Sequence, residues 1–359
     1  MSSGHGGTRG PAAPIGVLGT GGYVPDRVRT NEEVAAAAGV SPEWILERTG
    51  VRQRHVAGAA QAASDLAAEA VRAALAQAGL VAGDLDLLVL ATSTPDELGP
   101  STACRVQARI GAGNAVALDV AAACSGWVFG TRVARDWLVA EGTGGRAAVV
   151  GVEVYSRFLD GRDRGTAVLF ADGAAAAVLG PVAAGHGFAR ITLGSDGTRA
   201  DDVLIRAGGS RLPASRETLR EGLHHIFMDG RAVRDFILEI FPAAAADALR
   251  RSGMTPGDIA LVVAHQPNPL LLRRACAEAG FAPDRLMVTG DRVGNIGAAS
   301  LPYALDQAHR QGRLRSGDRV LLVGFGAGLT WGSTVLTWGT GVRTVRDEQH
   351  EQHAGAVGV

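Results

Sequence analysis

Residues 70–95, AVRAALAQAGLVAGDLDLLVLATSTP, can be laid over residues 244–269, AAADALRRSGMTPGDIALVVAHQPNP, without a gap, Gly253 lying 174 residues after Gly79. In both stretches a segment of helical period ends at a glycine, a Gly-Asp pair follows, and an apolar strand closes on a proline. The match continues downstream, GRAAVVGVE (145–153) against DRVLLVGFG (318–326) at an offset of 173. The chain therefore reads as a duplication, two similar α/β halves. Runs such as LDLLVLAT, RAAVVGVEV, AAAAVLG, IALVVAH and RVLLVGFG are apolar without alternation. They predict strands buried on both faces.

Composition narrows the function. Across 359 residues, 35 basic side chains balance 36 acidic ones, so there is no electrostatic footprint for nucleic acid or an anionic membrane. Every basic side chain is arginine, which excludes lysine Schiff bases and Walker-type phosphate loops. The opening residues MSSGHGGTRGPAAP lack a signal peptide's apolar core, and no stretch reaches a membrane span of roughly 18 apolar residues, so the expected location is cytoplasmic. Cys104, Cys124 and Cys276 are odd in number and have no CxxC spacing, which argues against disulfides and structural zinc. Residues 1–13 and 341–359 read as flexible ends, His350 and His353 in the latter as solvated.

LDVAAACSGWVFGTRVARDWL (118–138) places Cys124 where a strand gives way, through a turn of small residues, to a helix. Val128, Val133, Trp137 and Leu138 are expected near one face of that helix. At its first turn a cysteine meets unpaired N–H groups and the macrodipole, which favour thiolate and predict a lowered pKa. Shifting Cys124 by 173 reaches Gly297 in GNIGAAS (294–300), so two special loops occupy equivalent places in the halves. His265 ends the strand IALVVAHQPNP, and Asn295 sits in the second Gly-rich loop. The three side chains are candidates for one site. His55, His224, His225 and Asp172 read as structural.

With these motifs the chain resembles the thiolase-like condensing enzymes, specifically β-ketoacyl-acyl carrier protein synthase III. The resemblance runs from about 14 to 340, through ILERTGVRQRH (45–55), DVAAACSG (119–126), DRGTAVLFADGAAAAVLG (163–180), HQPN (265–268), GNIGAAS and GFGAGLTWGS (324–333). It implies a duplicated, five-layered α-β-α-β-α fold with two mixed sheets. One half, 14–184, would carry the nucleophile and the other, 185–340, the His/Asn pair. It also implies that Cys124 takes an acyl group from acyl-coenzyme A, and that His265 and Asn295 assist decarboxylation of a malonyl thioester, on acyl carrier protein or coenzyme A. Cysteine suits transfer between thioesters as a soft nucleophile that is also a good leaving group. Two neutral donors can hold the enolate oxygen without protonating the carbanion. No metal or cofactor is required beyond the coenzyme A thioester itself. A second oxyanion hole would use the backbone N–H groups of Cys124 and Ala327, Ala standing for a more usual Gly and tolerated if its φ is negative.

Further roles follow from the resemblance. Trp44 and Arg164 would sandwich the coenzyme A adenine, Arg48 would meet its phosphates, and family members are homodimers. Leu98 and Gly99 stand where many members carry a Phe that closes the acyl pocket, and in a homodimer they would lie near the subunit boundary; the pocket is expected to be roomier or filled by another group, which makes a starter larger than acetyl plausible. Leu270 replaces a docking Arg, and Asp235 and Glu278 lie where the carrier-protein surface is often basic. Arg231, Arg234, Arg273 and Arg274 could form a rearranged patch. GNIGAAS lacks two hydroxyls near Asn295. These departures favour a specialised, polyketide-type starter enzyme over housekeeping fatty acid initiation. The alternative is transfer of the acyl group to a small-molecule hydroxyl or amine, with His265 as general base. An inactive scaffold would be expected to lose the nucleophile. A degradative thiolase would carry a second catalytic cysteine near GFGAGLTWGS.

Overall fold

The computed structural model describes residues 13–142 and 144–339. The expected flexible ends, with His350 and His353, lie outside the described residues except for Ala13. The chain begins with β1 (Ile15–Tyr23), then a small hairpin of β2 (Val28–Thr30) and β3 (Gln53–His55) that brackets α1 (Asn31–Ala38) and α2 (Pro42–Thr49). There follow α3 (Ala63–Ala78), β4 (Leu87–Ala91), α4 (Thr102–Ile110), β5 (Val116–Val120), α5 (Gly126–Glu141), β6 (Ala147–Val154) and β7 (Asp172–Pro181). The second part runs β8 (Gly187–Phe188), β9 (Thr192–Ser195), β10 (Val203–Ile205), α6 (Arg216–Arg220), β11 (Ile226–Met228), α7 (Gly230–Ser252) and β12 (Leu261–Ala264). It closes with α8 (Pro269–Glu278), α9 (Gly290–Val293), α10 (Ser300–Arg310), β13 (Arg319–Gly326) and β14 (Thr330–Thr337).

The repeated residues build the same local structure twice. Gly79 and Gly253 end α3 and α7 in the left-handed region, at φ 69° and 63°, where glycine carries no Cβ penalty. Asp84 and Asp258 then accept the amides of Val81 and Thr255, turning each chain into its strand. In the first sheet, ordered β1-β7-β6-β4-β5, Leu87 pairs with Ala147 in parallel. In the second, ordered β12-β13-β14 with β8 and β9 both against β14, Leu261 pairs with Val320 in parallel. Antiparallel β7 and β14 flank β6 and β13, so both sheets are mixed.

Strand alternation distributes each sheet between two cores. Leu87 and Val89 of β4 and Leu261 and Val263 of β12 point into one central core shared with Trp127, Leu301 and Leu305. Their neighbours Leu88 and Leu90 pack outward under α3 and α4, and Val262 and Ala264 outward under α7 and α8. With α5 and α10 between the sheets, the order is helix, sheet, helix, sheet, helix, the five-layered thiolase-like arrangement. The buried residues of α5 are Gly126, Trp127, Val128, Gly130, Thr131, Ala134 and Leu138, among them the expected Val128 and Leu138. Val133, expected on that face, is exposed, because a helix between two sheets turns its continuous i, i+3/i+4 stripe inward.

The middle layer is tight at one point. A Cβ on Gly151 of β6 would run into the carbonyl of Ala298 in the turn before α10. Gly151→Ala is therefore expected to displace that turn and cost about 1–3 kcal/mol, the usual range for overpacking. The check is the urea midpoint against Gly83→Ala, whose Cβ would meet nothing within 4 Å.

Candidate active site

Two short 3-10 turns, Ala123–Ser125 and Gly297–Ala299, lead into α5 and α10. Each begins with a left-handed residue, Ala123 at φ 45° and Gly297 at φ 51°. The turns thus correspond at an offset of 174, and Cys124 matches Ala298 rather than the expected Gly297; the extra residue enters further along. Ala123 is the one non-glycine at positive φ among the described residues, so Ala327 meets the condition set for it. Ser125 Oγ lies within hydrogen-bond distance of the Ala122 carbonyl (2.8 Å) and of Thr330 Oγ1 (2.9 Å), its one hydrogen shared between these acceptors, and Thr330 donates to the Ala327 carbonyl (2.8 Å). This ties the cysteine turn to the β13–β14 turn. At Gly326 a Cβ would lie 2.7 Å from the Cys124 nitrogen, so glycine lets that strand end close over the amides. The Cys124 and Ala327 amides donate to no backbone acceptor in turns or loops among the described residues.

His265 follows β12, and its backbone amide bonds the Val323 carbonyl at 3.0 Å. Its ring meets Phe325 edge to face, centroids 5.2 Å apart, and its Nδ1 has no protein partner. Burial pushes the imidazole down to about 3, a hydrogen bond with the Gly297 backbone opposing this only in part. The ring is therefore neutral at physiological pH. Asn295 is held by its backbone, bonded on both sides to the Leu169–Ala171 segment. Its Oδ1 accepts the Gly297 amide at 2.9 Å, leaving the side-chain NH2 without a protein partner among the described residues.

One cavity of about 840 Å³ is lined by Cys124, His265, Asn295, Ala327, Trp44, Arg48 and Arg164, a volume suited to a cofactor-sized ligand. The Arg164 guanidinium lies 5.7 Å from the Trp44 ring centroid, within cation–π range, so a purine between them requires the pair to part. Asn268 links the walls, capping α8 with its Oδ1 and donating to the Arg48 carbonyl. Behind them buried Arg54 bonds Asn31 Oδ1 and the Val168 carbonyl, both at 2.9 Å. Leu98 and Gly99, expected at the acyl pocket and near a subunit boundary, are not among the lining residues of this cavity within one chain. They sit on a surface loop, Leu98 87% exposed, because the chain after β4 runs outward before α4.

The thiol corrects a second expectation. Burial, with a smaller contribution from Glu153, pushes Cys124 up to about 12, against the hydrogen bonds from Tyr155 and its own amide. Enclosure thus raises the thiol, where helix polarity alone predicts lowering. Glu153 and Tyr155 themselves escaped the sequence reading. Glu153 is fully buried, accepting from the Ser93 amide (3.0 Å), Thr94 Oγ1 (3.0 Å) and the Ala298 amide (3.4 Å). The Tyr155 hydroxyl lies 3.9 Å from Cys124 Sγ. The one signal was an acid inside AAVVGVEV, a strand otherwise apolar on both faces.

Family models described as 3-oxoacyl-[acyl-carrier-protein] synthase III and as the C-terminal part of that synthase match residues 118–197 and 249–338. A β-ketoacyl-[acyl-carrier-protein] synthase III of Caldanaerobacter subterraneus subsp. tengcongensis is 44% identical over 323 residues, 90% of this chain and 97% of the relative. The acetoacetyl CoA synthase NphT7 of Streptomyces sp. strain CL190 is 43% identical over 324 residues, covering 90% and 98%. Among solved structures, the priming β-ketosynthase of the R1128 polyketide biosynthetic pathway superposes with a TM-score of 0.84 at 30% identity, covering 94% of this chain and all of that one. The cysteine turn, the His/Asn pair and the two stacked halves thus occur in a chain that belongs to the 3-oxoacyl-acyl carrier protein synthase III family of condensing enzymes.

Proposed function

We propose that this enzyme loads an acyl group from acyl-coenzyme A onto Cys124 and extends it by decarboxylative Claisen condensation with a malonyl thioester, initiating a polyketide-type chain. The observation that carries this reading is a neutral imidazole and a free carboxamide sharing one cavity with the thiol. In the loading step Cys124 sulfur attacks the thioester carbonyl, the amides of Cys124 and Ala327 hold the oxyanion, and coenzyme A leaves with the thiol proton. A malonyl thioester then loses CO2, and its enolate oxygen accepts hydrogen bonds from His265 and Asn295. The enolate carbon attacks the acyl-cysteine carbonyl, and collapse frees Cys124 and a β-ketoacyl thioester. A histidine held near 3 is a poor base at neutral pH, which weighs against transfer to a hydroxyl or amine.

The priming role rests on the likeness to NphT7 and the R1128 enzyme. Malonyl-acyl carrier protein is the proposed extender. At the expected docking surface Asp235 pairs with Arg234 (2.6 Å) and Glu278 with Arg274 (2.8 Å), Arg231 lies in the field of the Asp229 carboxylate, and Arg273 forms no ion pair among the described residues. That leaves Arg273 as the positive charge on this surface without an ion pair, open to an acidic carrier. A homodimer is the proposed assembly, supported by the open edge of β5, where Val116 is exposed, and by exposed Leu98 nearby in sequence.

Intact-protein mass spectrometry after incubation with a panel of acyl-coenzyme A thioesters should show one acyl adduct on the wild type and none on Cys124→Ala. Adduct on the variant would sink the reading. Asn295→Ala or His265→Gln should still acylate but lose roughly 10²–10³-fold in condensation with malonyl-acyl carrier protein, the usual effect of removing an oxyanion donor. Because His265 titrates near 3, it stays neutral at all higher pH, and the condensation step should show no histidine limb between about pH 5 and 8. Sedimentation velocity should give twice the chain mass, 36.8 kDa for one copy.

A further inference from the structure

Glu153 and Tyr155 sit in the middle of the molecule with no part in the steps above. Both lie near the end of β6, and both press on Gly297, where a Cβ would stand 2.6 Å from Glu153 Cγ and from the Tyr155 hydroxyl. The left-handed glycine of the second turn thus makes room for this pair beside the cysteine of the first. Tyr155 is buried and meets Phe170 edge to face, ring centroids 4.9 Å apart, which restricts the ring on the side of the sulfur. We propose that Tyr155 is a catalytic residue whose hydroxyl donates a hydrogen bond to Cys124 sulfur whenever that atom carries charge, and that Glu153 is a positioning residue that decides where the hydroxyl points.

The inference rests on the condensing reading of the site. Sulfur carries charge twice in that cycle, when thiolate attacks the acyl donor and when it leaves the β-ketoacyl product. At 3.9 Å the contact is long, as such contacts commonly are before substrate binds. Tyr155 keeps its proton throughout, since burial and then the neighbouring Cys124 and Glu153 charges push its pKa well above the usual phenol value. Burial likewise pushes Glu153 up to about 8, its hydrogen bonds from Ser93, Thr94, Ala298 and Tyr155 opposing. Below that pH the neutral acid carries its own proton, and the Tyr155 hydrogen is free to face sulfur. Above it, the carboxylate takes that hydrogen bond and its charge repels thiolate. The remaining titratable group facing the cluster is His265, from the end of β12, which is uncharged over this range.

The test is the rate at which iodoacetamide alkylates Cys124, followed on the Cys124 peptide by mass spectrometry from about pH 6.5 to 9.5. This readout needs neither acyl-coenzyme A nor a malonyl thioester, so failure of the substrate assignment leaves it intact. Tyr155→Phe, which keeps the ring, should alkylate roughly tenfold more slowly near pH 7, the size expected for a lost hydrogen bond to a charged group. The deficit should shrink to less than about twofold near pH 9. Wild-type alkylation should climb less steeply above about pH 8, whereas Glu153→Gln should keep climbing and overtake it several-fold. A Tyr155→Phe rate equal to wild type near pH 7, a deficit constant across pH, or a Glu153→Gln profile superposable on wild type would each overturn the proposal. Glu153→Gln reads the same logic independently should the tyrosine variant not fold.

Discussion

A carbonyl oxygen stands where a side chain would otherwise be. The Ala298 carbonyl rests on the bare face of Gly151, and through this contact the turn of one half seats directly on a central strand of the other. Everything in the site takes its position from that seating. The Ala298 amide reaches Glu153, Gly297 bonds the Asn295 side chain, and α10 starts in the same layer as α5. Separate α/β halves could each form a sheet and a helix. Only their close approach brings a nucleophile from one into reach of the donors of the other.

The enclosed chamber that results is nearly free of formal charge at neutral pH. The imidazole is neutral, the buried acid is largely protonated, and the resting thiol is held in its neutral form. In such surroundings fixed dipoles act at close to full strength, because little solvent competes with them. Charge arrives with the reaction, first on sulfur, then on an enolate oxygen. The walls offer hydrogen-bond donors at each place. Arg48, Arg164 and Arg234 also line the cavity.

Much of this was legible in the sequence because duplication prints the same physics twice. Leu87 and Val89 predict Leu261 and Val263, and Gly79 with Asp84 predicts Gly253 with Asp258, since each set serves the same strand face or the same turn. Cys124, His265 and Asn295 were visible as strand-end and turn residues, and they do line one cavity. The one-residue error in matching Cys124 to Gly297 came from reading an offset where backbone conformation decides. Helix polarity alone misjudged the thiol, because enclosure depends on residues far apart in the chain, among them Tyr155 and Phe325. Glu153 was missed since the donors it accepts from, at Ser93, Thr94 and Ala298, are brought together only by folding.

Ala123 at φ 45° differs from its counterpart Gly297 in more than a methyl group. A left-handed alanine costs about 1–2 kcal/mol that glycine would not, yet glycine would let the peptide groups around the nucleophile wander over a wider range of angles. The alanine narrows the set of shapes available to that turn before any substrate arrives. Stability is given up locally in exchange for a smaller ordering entropy on binding, a trade commonly found where strain and catalysis coincide. The second turn, which bears no nucleophile, retains the permissive residue. The two copies of one ancestral bend have thus been tuned in opposite directions, one for rigidity and one for room.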